Sequence, residues 1–359
     1  MARGRDHRLT LEQSALITKA RTMGVSTEIP INLSDSELTK LAAIIVCDVG
    51  QDVVSLTGVR IPGTSTGYYD CSLDWFDEEI ANADFTAVYL AASIAVSDFD
   101  TYFRALAELH KRRKKYSKIL SGQPLPTMAQ VAPRSLLEFG IIASPALASW
   151  ITWRKWFYDI DNRSAQETGY LFEPILASAL GGVAYGAARS PIRRRNDPRK
   201  GRQADCIVGT TAYEFKLRVT IAASGQGRFG EELDFAEDCR HCRYRPVLLV
   251  LDPTPSPRLS ELADAFAAVG GEAYIGDAAW QHLEDEAGPT MATFVEKYVR
   301  RPIAEMDRWA VDLLDLSIER NDASFLVTLS KASQTHCLRI GRSEVQSLSS
   351  EATESEAAD

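Results

Sequence analysis

What this chain lacks excludes several classes of protein before any motif is read. Its 359 residues contain no apolar run approaching the roughly 18 residues of a membrane-crossing helix. The charged start Met1-Ala2-Arg3-Gly4-Arg5 is not followed by a secretory apolar stretch, and the expectation is a cytoplasmic protein. Histidine is scarce, at five residues, and none sits in a recognisable nucleophile context, which argues against a histidine-based triad. The six cysteines, Cys47, Cys71, Cys206, Cys239, Cys242 and Cys337, are scattered, so reduced thiols are expected. Cys239, His241 and Cys242 crowd together, yet a structural zinc site needs four ligands and no second pair follows at a suitable spacing. No tandem repeat and no nucleotide-binding glycine loop emerges. Gly225-Gln226-Gly227-Arg228-Phe229-Gly230 has that glycine spacing only loosely and reads as a flexible turn.

What is present points to one stretch. Apolar residues make up 45% of the chain, enough to bury a core across two or more domains. From Asp205 to Lys216 the pattern changes character. Tyr213, Phe215, Leu217 and Val219 alternate with Glu214, Lys216, Arg218 and Thr220, so the period of a strand sets the polar residues on one face. Gly209-Thr210-Thr211 predicts a turn that folds Cys206 to Val208 back against Ala212 to Leu217 and carries Asp205 toward Glu214. Magnesium takes oxygen ligands and usually keeps several waters, so Asp205 and Glu214 with a substrate phosphate oxygen make a natural Mg2+ site. An ammonium beside it, that of Lys216, can position or help deprotonate a water and offset charge in a phosphorane-like transition state. The same alternation also suits a solvent-facing strand edge carrying a cross-face charge pair.

Two basic runs stand out in a chain of net charge −9. Arg189, Arg193, Arg194, Arg195, Arg199, Lys200 and Arg202 are interrupted by a single acid, Asp197. Local positive charge feeding an acidic pocket suits a phosphate backbone, because each neutralised phosphate releases counterions. Asn196 and Pro198 fit equally a solvated, flexible loop. The second run, Leu109 to Lys118, continues a helical pattern. It offers either a phosphate-gripping helix or a solvated helix end whose cations suit the macrodipole.

Asp205 followed by Glu214-Phe215-Lys216, with glutamates in the preceding helix Gln166 to Glu173, resembles the PD-(D/E)xK nuclease superfamily and, within it, the type II restriction endonucleases. The resemblance covers roughly residues 165 to 290. It implies an α/β fold with a restriction-endonuclease-like mixed sheet core flanked by helices. It also implies a catalytic set of Asp205, Glu214, Lys216 and an acid on the preceding helix, with Glu173 the candidate and Glu167 the second choice. Mg2+ is then held by Asp205 and Glu214. Arg193, Arg194, Arg195, Arg199, Lys200, Arg202 and Arg218 are the expected DNA contacts. Double-stranded DNA is the implied substrate, and a homodimer the implied assembly for palindromic sites. A methyltransferase acting on the same sequence would be a functional rather than physical partner. The chain departs from the pattern at Ala204, where many members carry proline, and at Pro174, which predicts a kink or restart directly after Glu173.

The remaining periodicities place the motif. Helices are predicted at Leu11 to Met23, Ser36 to Val46, Asp84 to Val96 and Asp98 to Leu120, and another starts near Ser135. Trp150, Trp153, Trp156, Phe157 and Tyr158 recur at spacings that suit a core or subunit contact. After Lys216, a helix at Phe229 to Cys242, a strand at Arg245 to Leu251, a helix at Leu259 to Val269 and a strand at Glu272 to Ile275 argue for a partly parallel sheet. The expected division is a mostly helical region over 1–160, concerned with recognition or dimerisation, and a nuclease core over 161–315. A C-terminal strand or extension over 316–342 and an acidic, disordered tail over 343–359 follow.

These readings predict a Mg2+-dependent, sequence-specific endonuclease of double-stranded DNA. The alternatives are a repair or junction-resolving nuclease, a non-catalytic DNA-binding protein on a related fold, and an α/β protein acting on a small molecule.

Overall fold

The computed structural model describes residues 8–24, 29–61, 67–81, 84–217, 226–308, 313–320 and 324–341. Arg218, Thr220, Gly225 and the acidic tail from residue 343 lie outside the described residues.

The first helices form where their caps and apolar stripes dictate. α1 (Leu11–Arg21) and α2 (Asp35–Asp48) each open on a capping box, Thr10 with Gln13 and Ser34 with Glu37. α3 (Phe85–Ala95) starts at the Asp84 cap, and α4 (Phe99–Ser121) follows it. Leu38, Leu41 and Ile45 of α2 pack with Phe99, Phe103 and Leu106 of α4 in one core. The basic run of α4 is committed to this layer. Lys111 is buried and donates to the carbonyls of Lys19 and Thr22. Arg112 pairs with Glu108 and Glu167, and Lys114 with Glu37 and Asp77. Arg113 lies over the rings of Tyr68 and Tyr69. Both expectations for this run, a DNA-gripping helix and a solvated helix end, fail up to Lys115. The cations are drawn inward because the apolar layer buries carboxylates that need them.

The helix expected from Ser135 begins instead at Ser144. Ala132–Ser135 forms a short 3-10 turn, and α5 (Ser144–Ala179) then runs for 36 residues with Pro145 in its first turn. α5 takes in both the aromatic cluster and the Gln166 to Glu173 segment, and it crosses residue 160 without a break. Nor does it stop or restart at Pro174. Ile175 and Leu176 just beyond are buried in the core, and that packing carries the helix past the lost backbone donor.

The sheet comes next. β1 (Val183–Tyr185) is followed by a hairpin of β2 (Arg193–Arg194) and β3 (Asp197–Gly201), then β4 (Ala204–Val208) and β5 (Thr211–Lys216). α6 (Gln226–His241), β6 (Arg245–Val250), α7 (Pro257–Ala268) and β7 (Glu272–Ile275) complete the alternation. The five-stranded order is β1-β4-β5-β6-β7, antiparallel through β5 and parallel from β5 to β7. β5 is therefore the central strand, which excludes the exposed-edge reading of its charges. Gly209, at φ +56°, supplies the left-handed residue of the β4–β5 turn. The loosely glycine-spaced stretch is not a turn from Gln226 onward, because those residues begin α6.

Alternation along the strands divides two cores. Tyr213, Phe215, Val247 and Leu249 join the helical layer, α5, α8 (Asp277–Glu286) and α9 (Pro289–Val295). Ala212, Leu248 and Val250 face Phe235, Leu262 and Phe266 of α6 and α7. A mixed sheet thus lies between helices, as expected. No helix among the described residues is long and apolar enough to cross a membrane.

β8 (Asp315–Arg320), β9 (Ser324–Lys331) and β10 (Gln334–Gly341) form a separate antiparallel sheet. Its Phe325, Val327 and Ile340 close on Trp156 of α5, which is fully buried and donates to the Gln123 carbonyl at 3.3 Å. Trp156→Ala is expected to destabilise the protein by about 3–5 kcal/mol in a denaturant titration. A loss below ~1 kcal/mol would show that this sheet is not docked through the indole.

Candidate active site

β4 and β5 bring the motif together by register. Cys206 pairs with Tyr213, which sets Asp205 across from Glu214. Asp205 is buried, and its Oδ2 accepts from the backbone N–H of Phe215 at 2.8 Å. One strand onward, Lys216 pairs in register with Val250 near the carboxyl ends of parallel β5 and β6. Crevices at carboxyl ends of such strands are where α/β sheets hold ligands. Lys216 Nζ donates to Glu214 Oε1 at 2.8 Å and lies 3.2 Å from Glu232 Oε1. Glu173 reaches the same charges from α5.

The electrostatics of this group are unbalanced. Burial, then the charges of Glu214 and Glu173, push Asp205 well above the usual carboxylate range, against the opposing pull of the Phe215 N–H and Lys216. Burial and Glu214 push Glu173 up to about 7, against Lys216. Burial alone would discharge Lys216, but Glu214 and Glu232, with Asp205 behind them, more than offset it and raise its pKa. Four carboxylates meet one ammonium, and Glu232 Oε2 is buried with no hydrogen-bond partner. An excess of hard oxygen donors with a deficit of positive charge fits a divalent cation. Among the described residues no group of three or more His, Cys, Asp or Glu side chains is gathered closely enough to hold a metal ion. Mg2+ suits an open arrangement, since one or two carboxylates, waters and substrate phosphates complete its shell.

Glu167, the second choice for the helix acid, is not in this group. It pairs with Arg112 at 3.0 Å and Lys115 at 3.1 Å, holding α5 to α4. Glu232, by contrast, is absent from the sequence reading. The signal was there: Glu232 shares the i, i+3, i+4, i+7 stripe of α6 with the buried Phe235, Ala236 and Cys239, and an acid on an apolar stripe calls for a partner.

The basic stretch is an ordered β2–β3 hairpin against α6, not a free loop. Arg202 is buried and fixed to Asp238 at 2.6 Å, so it belongs to the fold rather than to a DNA surface. Arg194 pairs with Glu231 at 3.0 Å, and Arg195 approaches Glu237 at 3.5 Å and Asp234 at 3.9 Å. The backbone N–H of Arg193 meets Cys242 Sγ at 3.2 Å, while Cys239 is buried in the apolar core. Arg199 and Lys200 are the most exposed, at 92% and 72% of their side chains, with Asp197 beside them. Arg218 lies outside the described residues.

The repulsion at Glu173 has a stability consequence with a definite sign. Its pKa is 4.5 ordinarily and about 7 in the fold, so the folded state binds the proton more tightly. Its contribution to stability is fully present below pH 4.5, is lost as pH rises through about 7, and is a penalty above that. In metal-free protein Glu173→Gln should raise the thermal midpoint at pH 8 by about 2 °C or more. The gain should shrink as the pH falls toward 4.5. A midpoint that drops at pH 8, or shifts equally at every pH, would contradict the buried-charge account.

Comparison with known proteins agrees with this geometry. A family model of ApaLI-like restriction endonucleases matches residues 78–300, a span that includes all the residues of the cluster. The chain is 52% identical over 312 residues to the type II restriction enzyme ApaLI of Acetobacter pasteurianus, covering 83% of each protein. No solved structure matches significantly. The small-molecule and non-catalytic readings are thereby set aside: the chain belongs to the ApaLI-like restriction endonuclease family.

Proposed function

We propose that this restriction endonuclease hydrolyses phosphodiester bonds in double-stranded DNA with Asp205 and Glu214 as Mg2+ ligands, Lys216 beside the attacking water and Glu173 as the accessory acid. The observation that carries this reading is the surplus of buried and half-buried carboxylate around a single ammonium at the carboxyl ends of β5 and β6. When bound, Mg2+ supplies Lewis-acid polarisation of the phosphoryl group and makes water a stronger nucleophile.

The chain's own groups do the rest. The Phe215 N–H fixes one oxygen of Asp205, leaving the other for a ligand. Lys216, held by Glu214 and Glu232, positions or helps deprotonate the attacking water and offsets charge on the phosphorane. Glu232 positions the ammonium. Arg199 and Lys200, at the exposed part of the β2–β3 hairpin, are the first candidates for phosphate contacts, and Arg193, Arg194 and Arg195 follow where DNA displaces the acids of α6. A cytoplasmic homodimer, with a methyltransferase protecting the same sequence, completes the reading.

Purified protein with plasmid DNA and Mg2+ is expected to give discrete fragments, and a chelator to abolish them. Asp205→Ala, Glu214→Ala and Lys216→Ala should each lower the cleavage rate at least ~100-fold. Glu232→Gln, which keeps the shape but weakens the hold on Lys216, should lower it ~10–100-fold. Cleavage that survives the chelator, or survives both Glu214→Ala and Lys216→Ala, would remove this site from consideration.

The hairpin has its own test. Arg199→Ala with Lys200→Ala should weaken binding to cognate and non-cognate DNA alike and reduce the salt-dependence slope by about 2. An unchanged slope would take these residues off the DNA surface.

A further inference from the structure

The segment Leu136-Leu137-Glu138-Phe139-Gly140-Ile141 leaves its large apolar side chains in solvent. Leu136 is 77%, Leu137 90%, Phe139 67% and Ile141 81% exposed. Glu138 in its middle accepts from Trp150 Nε1 at 3.2 Å and from both guanidinium nitrogens of Arg154 at 2.7 and 3.1 Å. That docks the segment on the early turns of α5, where Trp150 and Tyr158 are themselves 50% and 54% exposed. Taking about 100 Å² for an exposed aliphatic and about 200 Å² for an exposed aromatic side chain, these six present on the order of 600 Å². Such a patch matches the largest on ordinary monomers, roughly 300–600 Å² and often functional. It also supplies most of the roughly 800 Å² per partner of a standard interface.

Beside the protruding segment, Val131, Ile151 and Tyr158 with Arg134, Arg154 and Lys155 line a cavity of about 180 Å³. A cavity of roughly 150 Å³ holds a benzene ring, so this one admits a leucine or phenylalanine side chain. A projecting apolar segment and a cavity of matching size thus lie on one face, which is what two-fold, self-complementary pairing requires. The charges point the same way. Glu138 neutralises Arg154 and Asp159 pairs with Lys155, so the rim holds few free cations to draw DNA phosphates. An identical copy would meet a mixed-sign rim without strong repulsion.

We propose that this face is a two-fold interface with a second copy of the chain, the Leu136 to Ile141 segment of each copy packed against the cavity of the other. The inference rests on the function proposed above: two catalytic clusters would cut both strands within one binding event, and each chain carries one Asp and Glu-x-Lys set.

Sedimentation of wild-type protein and of the double variant Leu137→Glu/Phe139→Glu tests it, with circular dichroism to confirm that the variant is folded. Wild type should sediment as a dimer and remain so at 0.5 M salt, since an apolar contact is not screened, about one Debye length being 3 Å at 1 M. The variant should dissociate at least ~100-fold more readily. It should also convert supercoiled plasmid mainly to the nicked form, where wild type gives linear product. A monomeric wild type that still cleaves would overturn the interface while leaving the active site standing. A dimeric variant would also overturn it, and dimeric variant protein with weakened DNA binding would assign the face to DNA instead. Where the double variant is unfolded, Arg134→Glu at the cavity rim replaces it, with the same dissociation expected. A dimer as stable as wild type in that variant counts against the proposal.

Discussion

The ammonium of Lys216 is the charge around which the site is organised. It is anchored in the central strand, touches Glu214 and Glu232, and faces Asp205 and Glu173 beyond them. These carboxylates repel one another and are partly out of water, an arrangement that a fold assembled for stability alone would avoid. It persists because each acid is delivered by a different, independently packed element. Asp205 and Glu214 are fixed by the β4–β5 register, Glu173 by α5 in one core and Glu232 by α6 in the other. Two apolar layers hold together what electrostatics would separate. The residual imbalance is what a divalent cation would relieve, so affinity for the metal and instability without it are one property.

A negative chain that handles DNA must place its cations with care, and this one commits several of them to buried or half-buried pairs. The run from Lys111 to Lys115 binds the helical layer together, and Arg202 ties the β2–β3 hairpin to Asp238. Glu167 and Glu173 show the consequence. They sit six positions apart on one helix, yet Glu167 pairs with Arg112 and Lys115 while Glu173 feels the charge of Lys216 only through space. One acid is therefore structural and the other is left electrostatically strained. Six positions turn the two side chains about 120° apart, so Glu167 meets the cations of α4 and Glu173 the charges of β5.

Much of this was legible in the sequence because it depends on local rules. The strand period at Tyr213 to Lys216, the Gly209 turn and the strand-helix alternation after it put Asp205, Glu214 and Lys216 in one place without tertiary information. The N-terminal helices were readable from caps and stripes to within a few residues. What sequence could not decide was the destination of charge. Lys111, Arg112 and Arg202 look solvated by composition, and only the fold shows buried acids from distant segments reaching them. The length of α5 was hidden for a similar reason. Pro174 signals a kink or restart, yet the helix continues through it, with Ile175 and Leu176 packed in the core.

α5 deserves its length on mechanical grounds. Its first turns carry the exposed aromatic face, its middle holds Trp156 against the C-terminal sheet and Glu167 against α4, and its last turns carry Glu173 toward the charges of β4 and β5. At about 1.5 Å per residue, the step from Trp150 to Glu173 is on the order of 35 Å, close to one turn of B-DNA. A body that long transmits a change of tilt at one end as a displacement at the other. Pro174, lacking its backbone donor, removes one hydrogen bond from the ladder next to Glu173, and the buried Leu171, Ile175 and Leu176 on either side hold that turn in the core instead.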